Sequence, residues 1–537
     1  MTALRRLAGL FHKSNNLKQA AGILFVTVLI SNVLGLARNI IIANRVGLTY
    51  GSIGPLDTYY SAFALPDLLY NILIVGALSS AILPLLVQID TEGDQKKFWR
   101  TFNVLISTGI IAVLLGLIVL YFVLPIVTPH LFPGFSGEQL QLTTTLSQVL
   151  LLSPLFFTVS QLSSSALQAK RLFFAPALSP IIYNLAIISS ATLIPKYGLS
   201  VLVFGVVLGA AAHFLVQLPS LLRQGWRFQF ELGFGNKHIA RIVRLMIPRA
   251  IALTGSQLLL IVFYRIASKF SDGSIAIYRL TDDLQTAPVL LLANTLAMAI
   301  LPDFARHFAK NQIAEFRALV GKALRFILYL FLPTMAFLLI FREQIIGLYI
   351  SLGQSIDPSE TRLAVATFSY FVISLFFQAT VLLLARAFFA QNNTAVPTVI
   401  SLVSLGSAWL LAEYFAGATN LGVAGLSLAF SIGSALNATL LFIGLRLPLR
   451  EILFDADRRF NFLPMIGGVG ITATVFLIAE KFAPSVSALV DAGGSVRRFV
   501  EIILGLLAGA IFYIAWSKVF KLEQWRLIQP EKNSIES

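Results

Sequence analysis

Long apolar runs separated by short polar turns make up most of the chain. A helix needs about 20 mostly apolar residues to cross roughly 30 Å of hydrocarbon. The apolar runs predict spans at 21–47, 55–88, 100–127, 143–170, 177–194, 199–222, 243–271, 276–308, 317–341, 362–391, 394–415, 420–446, 460–480 and 494–520. Because the connecting segments are too short to form soluble domains, the pattern predicts an all-α, polytopic membrane protein with about 14 transmembrane helices.

Composition supports this class and excludes several others. Of the 537 residues 57% are hydrophobic and only 12% are charged, whereas soluble domains carry about 25% charged residues. A soluble enzyme, a coiled coil and a disordered protein are therefore excluded. The chain has no cysteine and five histidines, which argues against a thiol nucleophile and a metal site, and no nucleotide-binding or hydrolase motif occurs. We predict a transporter without a cofactor, not an enzyme, driven by an ion gradient, the membrane potential or the gradient of its substrate.

The net charge of +15 does not indicate nucleic-acid binding here, because the basic residues lie between apolar runs. They are concentrated in alternate connecting segments, which is the positive-inside pattern. We therefore expect both termini to be cytoplasmic. Residues 1–20 read as an amphipathic segment on the inner membrane face, and residues 521–537 read as a cytoplasmic tail.

The sequence repeats itself at a spacing of about 217 residues. Ala77–Pro84 is similar to Thr295–Pro302, and Gly51–Ile53 recurs as Gly273–Ile275. A single match of this kind could be coincidence among apolar residues, but collinear matches argue for a duplication.

The repeat divides the chain into two lobes of six spans each. The predicted N-lobe covers 21–222, the predicted C-lobe covers 243–446, and the last two spans, 460–520, are an appended pair. Six is an even number, so the two lobes run parallel, as in transporters with a central cavity.

Charged residues at membrane depth are costly and usually face a cavity. In the first span Arg38 shares a helical face with Ser31 and Arg45, and Asp57 opens the second span. A cationic face of this kind suits an anionic substrate. The alternative is that Arg45 reaches the outer surface and Arg38 pairs with Asp57.

A second group of candidates lies in spans 7 and 8. Arg249 and Arg265 lie in span 7, and Arg279 precedes Asp282 and Asp283 by three and four residues in span 8. Arg279 can form a local ion pair with either acid, or the three can line the cavity wall and change partners during transport.

Two isolated residues, His213 and Glu413, lie within apolar runs. A histidine or glutamate in such a position is more often a structural residue or an interface residue than a proton carrier, and we predict one of these two roles for each.

Several motifs resemble those of the MurJ/MviN family, the lipid II flippases of peptidoglycan synthesis. Ser31–Arg38 is similar to the family's first-span motif, Asp57–Pro66 to its second-span motif, and Gly76–Pro84 follows at the family's spacing. Gly425–Leu428 and Leu436–Leu441 resemble its twelfth span.

This resemblance implies the fold of the multidrug/oligosaccharidyl-lipid/polysaccharide flippases, with two lobes that alternate between inward-open and outward-open states. It implies a cationic cavity for a diphosphate-linked sugar-peptide head group, and a groove on spans 13 and 14 for the polyprenyl tail. The expected partners are a polyprenyl-diphosphate-linked substrate and membrane lipid, with cell-wall synthesis proteins as further candidates. The expected location is the bacterial cytoplasmic (inner) membrane.

The chain departs from the family pattern at several cations. Asn32 stands where the family usually carries arginine, and Asp283 takes the place of its span 8 arginine. In the second half of span 2, where the family usually carries Arg and Glu, the chain has Tyr70, Asn71 and Val75. Of the cavity cations only Arg38 carries over directly. The cations have therefore moved to Arg249, Arg265 and Arg279, or the substrate differs. The alternatives are an exporter of another polyprenyl-linked glycan or of a small molecule, and a membrane glycosyltransferase or scaffold, which the short loops disfavour.

Overall fold

The computed structural model describes residues 17–46, 56–72, 82–232, 254–350, 358–447, 462–488, 494–520 and 522. The regular structure within these ranges is helical. The chain divides into two compact units, Met1–Ala276 and Ile277–Ser537. We refer to them as unit 1 and unit 2.

Unit 1 contains the first twelve described helices. They are α1 (Leu17–Val46), α2 (Leu56–Ala62), α3 (Ala64–Tyr70), α4 (Leu83–Thr91), α5 (Gln95–Leu131), α6 (Gly137–Leu150), α7 (Leu152–Ala169), α8 (Phe174–Ala191), α9 (Ile194–Tyr197), α10 (Ser200–Leu215), α11 (Leu218–Arg223) and α12 (Thr254–Ala267).

The boundary between the units falls within α13 (Ser274–Pro288). A π-helical turn (Val289–Asn294) follows it. The other helices of unit 2 are α14 (Thr295–Ala309), α15 (Ile313–Ile340), α16 (Arg342–Ile350), α17 (Pro358–Ala390), α18 (Ala395–Ala418), α19 (Val423–Gly444), α20 (Phe462–Ala488) and α21 (Gly494–Val519).

The structure confirms the prediction of a multi-pass helical membrane protein. In the described ranges, twelve helices or continuous helix pairs are long and apolar enough to cross a membrane, and they coincide with twelve of the predicted spans. The other two predicted spans, 55–88 and 243–271, include residues outside the described ranges, so the number fourteen stays a prediction. The same holds for the predicted lobe boundaries and for the repeat, since residues 73–81 are outside those ranges. The terminal segments 1–20 and 521–537 lie almost entirely outside them.

Polar residues in the turns cap the N-termini of two apolar helices in unit 1. Asp94 precedes α5, and its side chain accepts a hydrogen bond from the backbone N–H of Lys97 at 2.9 Å. Ser136 and Gln139 form a reciprocal capping box at the start of α6. Such caps satisfy N–H groups that have no partner within the helix.

Small residues allow α8 and α10 to pack closely in unit 1. A side chain added at Gly205 of α10 would collide with the Ser190 side chain of α8, and one added at Gly209 would meet Tyr183 at 3.0 Å. Helix α8 also packs along α1. This packing brings Ser31 and Arg38 of α1 beside Asn184 of α8.

The appended helices α20 and α21 pair with each other and pack on α15 in unit 2. The buried Tyr329 hydroxyl donates to Ser517 Oγ at 2.9 Å, and the Tyr513 hydroxyl donates to the Tyr329 carbonyl at 3.1 Å. Trp516 Nε1 donates to the Pro464 carbonyl at 2.9 Å. Side chains of α21 therefore hold both α15 and α20.

Candidate functional site

Arg38 lies in the C-terminal half of α1, is half-buried, and is held by carboxamides. Its Nε and Nη2 donate to Asn39 Oδ1 at 3.1 and 2.9 Å, and its Nη1 donates to Asn184 Oδ1 at 3.1 Å. The Asn184 amide in turn donates to the Ser31 carbonyl at 3.2 Å. Both asparagines are buried, so this cluster fixes the guanidinium against α8.

The partners of Arg38 are neutral, and this determines its electrostatic character. Within the described ranges, no carboxylate lies within salt-bridge distance of Arg38. The alternative in which Arg38 pairs with Asp57 is therefore wrong in this structure. A guanidinium has five N–H donors, and three of them are used by Asn39 and Asn184. The site thus presents an uncompensated positive charge with donors left for an anion.

Asp57 is buried, with 2% of its surface exposed, and bonds to backbone instead of to a cation. Its Oδ2 accepts from the Gly273 N–H at 2.9 Å, and its Oδ1 accepts from the Ala276 N–H at 2.7 Å. These N–H groups belong to the start of α13, which has no internal acceptors for them. The geometry gives Asp57 a capping role, and its predicted part in substrate binding is untested.

The acidic pair after Arg279 forms a polar cluster inside unit 2. Arg279 Nη2 lies 3.0 Å from Asp283 Oδ1, which confirms the local ion pair as the arrangement in this structure. Asp282 accepts from Gln285 Nε2 at 3.0 Å, and Gln378 of α17 donates to Gln285 at 2.8 Å. The cluster combines one cation with two acids, and the predicted part of Arg279, Asp282 and Asp283 in substrate binding stays a prediction.

The remaining candidate cations are dispersed. Arg265 lies on α12 with its side chain exposed, and Arg45 is exposed near the end of α1. Arg249 lies outside the described residues. Among the predicted cations on described residues, Arg38 is the one with buried hydrogen-bond partners, Asn39 and Asn184.

His213 has the structural role predicted for it. It is buried in α10, its ring Nδ1 lies 2.6 Å from Ser160 Oγ of α7, and its ring contacts Phe157 edge to face. Gln217 extends the cluster by donating to Ser160 Oγ at 2.7 Å. Glu413 is exposed on α18.

A sequence model of the family described as "Lipid II flippase MurJ" matches residues 50–482. The chain belongs to this family. The lipid II flippase MurJ of Burkholderia cenocepacia is 28% identical over 78% of this chain and 81% of its own length. The probable lipid II flippase MurJ of Buchnera aphidicola is 26% identical over 93% of this chain and 96% of its own.

Solved structures of related proteins support the fold. The structure described as "Lipid II flippase MurJ, inward closed conformation" matches with a TM-score of 0.73 and 23% identity, covering 93% of this chain and all of that one. An inward-facing multidrug resistance MATE family transporter of the MOP superfamily matches with a TM-score of 0.64 and 14% identity, over 78% of this chain and 94% of its own. These likenesses confirm the fold class implied by the sequence motifs.

The feature of this site that the sequence did not predict is the pair of neutral partners of Arg38, Asn39 and Asn184. Sequence reasoning found Arg38 but missed its partner Asn184. The available signal was a single carboxamide within the apolar run of α8. Nothing in the spacing alone relates it to α1, because the contact joins residues 146 positions apart.

Proposed function

We propose that this protein moves lipid II, a lipid-linked peptidoglycan precursor, from the inner to the outer leaflet of the bacterial inner membrane. Translocation proceeds by alternating access, and both termini lie in the cytoplasm. Family membership supports the substrate, and the relatives named above are called lipid II flippases.

The observation that carries this proposal is the uncompensated charge of Arg38. A diphosphate is anionic and bears oxygens that accept hydrogen bonds from a guanidinium. Because Arg38 is held by Asn39 and Asn184, it keeps its full charge and a fixed orientation without a competing carboxylate. We assign Arg38 as a diphosphate-binding residue, with Arg249 and Arg265 as further candidate cations.

The test is complementation of a bacterium depleted of its own flippase. Arg38→Ala is expected to abolish growth and to cause the lipid-linked precursor to accumulate, with normal protein levels in the membrane. Arg38→Lys is expected to be partly active, since lysine keeps the charge but loses the planar donor set. Arg45→Ala is the matched control on the same helix, and full activity is expected. Full complementation by Arg38→Ala would refute the proposed role of Arg38.

We also propose that α20 and α21 hold the polyprenyl tail. They expose apolar side chains, with Ile511 67% exposed on α21. A photoreactive amino acid at position 511 is expected to crosslink to a polyprenyl-diphosphate lipid in vesicles. The same group at position 410 of α18, where Leu410 is 71% exposed, is the control. Equal crosslinking at both positions would indicate general lipid contact and would contradict the proposed groove.

A further inference from the structure

Helix α15 of unit 2 contains a proline well inside its ends, at Pro333. Proline has no backbone N–H, so it cannot donate the regular bond to the carbonyl four residues earlier, which is that of Tyr329. About 16 Å of helix separates Tyr329 from the end of α15 at Ile340, and the hydrocarbon of a bilayer is about 30 Å thick. The carbonyl that loses its regular donor therefore lies at membrane depth, where an unmade bond is costly.

A side chain of the appended helix α21 supplies the missing donor. The Tyr513 hydroxyl donates to the Tyr329 carbonyl at 3.1 Å, and both residues are buried. Their rings also contact each other, with centroids 4.9 Å apart. The Ser517 hydroxyl, one turn further along α21, accepts from the Tyr329 hydroxyl at 2.9 Å and donates to the Tyr513 carbonyl at 2.7 Å. The carbonyl freed by the proline is therefore held within a buried polar cluster of α21.

The appended helices also contact α15 on the other side of the proline. Phe337 lies against Phe476 of α20, with ring centroids 5.3 Å apart. Phe341, which follows the last residue of α15, packs so closely on α21 that a side chain added at Gly505 would collide with its ring. Helices α20 and α21 therefore bridge the proline, because they contact α15 both before and after it.

A proline in unit 1 shows the same chemistry with a local donor. Pro125 of α5 leaves the Tyr121 carbonyl without its regular donor, and the Gln148 side chain of α6 donates to that carbonyl at 3.3 Å. Helix α6 follows α5 after a short turn, whereas Tyr513 is 184 positions from Tyr329 in the sequence. The donor in unit 2 thus comes from the appended pair, which gives that pair a means to act on α15.

Two features next to this bond favour bending of α15. Proline is one of the few causes of sharp kinks in helices. The hydroxyl of the next residue, Thr334, donates to the Leu330 carbonyl at 2.7 Å, and back-bonding of this kind often bends helices as well. Two successive residues therefore weaken the regular geometry of α15 at the same place.

We propose that α15 bends at Pro333 during transport and that the bond from Tyr513 to the Tyr329 carbonyl is a clasp that controls this hinge. While the clasp is closed, the bend of α15 is fixed. When α21 shifts, the carbonyl loses its donor and the hinge is free to move. Tyr513 is a positioning residue, because it acts through α15 and not on the substrate.

The clasp lies on a helix to which we assign the polyprenyl tail, and this step rests on the function proposed above. Ile511 is 67% exposed, whereas Tyr513 is buried, so the two side chains lie on different faces of α21 within one turn. A tail seated at Ile511 therefore acts on the turn of α21 that holds the hinge. An occupied groove is expected to open the clasp.

A double-mutant cycle tests the bond between Tyr513 and the freed carbonyl. Unfolding of the full-length protein in detergent is followed by circular dichroism in a denaturant titration. Tyr513→Phe is expected to raise the equilibrium constant of unfolding by about threefold, and by about twentyfold at most. In the Pro333→Ala background the alanine N–H supplies the helical bond, so Tyr513→Phe is expected to have little effect. Pro333→Leu restores the same N–H and replaces Pro333→Ala if that variant misfolds.

Tyr329→Phe is the matched control for the cycle. It removes the other hydroxyl of the tyrosine pair but leaves the backbone carbonyl of residue 329 in place. Its effect is expected to be the same with and without Pro333. The clasp is refuted if Tyr513→Phe raises the equilibrium constant of unfolding as much in the Pro333→Ala background as in the unmodified protein.

Hydrogen–deuterium exchange in nanodiscs tests the hinge without a transport measurement. Tyr513→Phe is expected to speed the exchange of the α15 amides over 330–340, and Pro333→Ala is expected to slow it. A polyprenyl diphosphate added to the nanodiscs is expected to speed this exchange in the unmodified protein and to leave it unchanged in Pro333→Ala. Unchanged exchange in both variants would overturn the hinge, and unchanged exchange on addition of the lipid would overturn its control by the tail.

Translocation in vesicles then tests whether transport uses the hinge. Pro333→Ala is expected to slow the movement of lipid-linked precursor by about threefold or more while unfolding no more readily than the unmodified protein. A proline with a merely structural role would not separate rate from stability in this way, so an unchanged rate in Pro333→Ala would contradict the use of the hinge in transport. If the unmodified protein moves no precursor, the function proposed above fails, and the cycle and the exchange rates still decide on the clasp and the hinge.

Discussion

Removing the Asp57 carboxylate is expected to destabilise the start of α13. Asp57→Ala leaves the N–H groups of Gly273 and Ala276 buried without acceptors. Each unsatisfied buried group costs about 1–3 kcal/mol, so the loss in free energy of unfolding is about 2–6 kcal/mol. In Asp57→Asn the carboxamide oxygen still accepts from one of the two N–H groups, but its NH2 group faces the other N–H and cannot accept from it. The expected loss in free energy of unfolding is therefore about half of that for Asp57→Ala, or more.

The measurement is a denaturant titration of the purified protein in detergent, with unfolding followed by circular dichroism. Asp272→Asn is the matched control, because Asp272 is exposed and accepts a hydrogen bond from the Gln139 side chain, with Nε2 3.0 Å from Asp272 Oδ1. Its expected effect is within about 0.5 kcal/mol. If Asp57→Ala unfolds within 0.5 kcal/mol of the unmodified protein, Asp57 does not hold the first turn of α13 in the way argued here.

Two further substitutions test the packing of each unit. Gly205→Val forces a side chain into Ser190 between α8 and α10, so a lower thermal unfolding temperature is expected, with a loss of about 1–3 kcal/mol in the free energy of unfolding. Gly137→Ala is the control, because the added methyl meets nothing within 4 Å. Equal unfolding temperatures for the two variants would count against tight packing between α8 and α10. Tyr329→Phe removes the hydrogen bond to Ser517, and a loss of about 0.6 kcal/mol is expected from membrane-protein hydrogen bonds; an unchanged unfolding free energy would show that this bond does not help to hold α21 on α15.

The helical spans were predictable because length and apolar character alone determine them. A membrane leaves no water for unpaired backbone groups, so a long apolar run such as 100–127 is helical whatever its neighbours are. The short polar turns could also be read, since Ser136 and Gln139 match the capping-box pattern. The boundary between units 1 and 2 within α13 could not be predicted. It depends on which helices pack together, and the hydropathy of α13 does not change at that point.

The candidate site was predictable only in part. Arg38 stood out because an arginine within an apolar run is costly. The partners of Arg38 could not be predicted, because Asn184 lies on a helix far away in sequence. Asp57 was an equally acceptable partner by charge. The backbone partners of Asp57 were equally hidden, because a carboxylate can be satisfied by backbone N–H groups as well as by a cation, and sequence does not distinguish these partners.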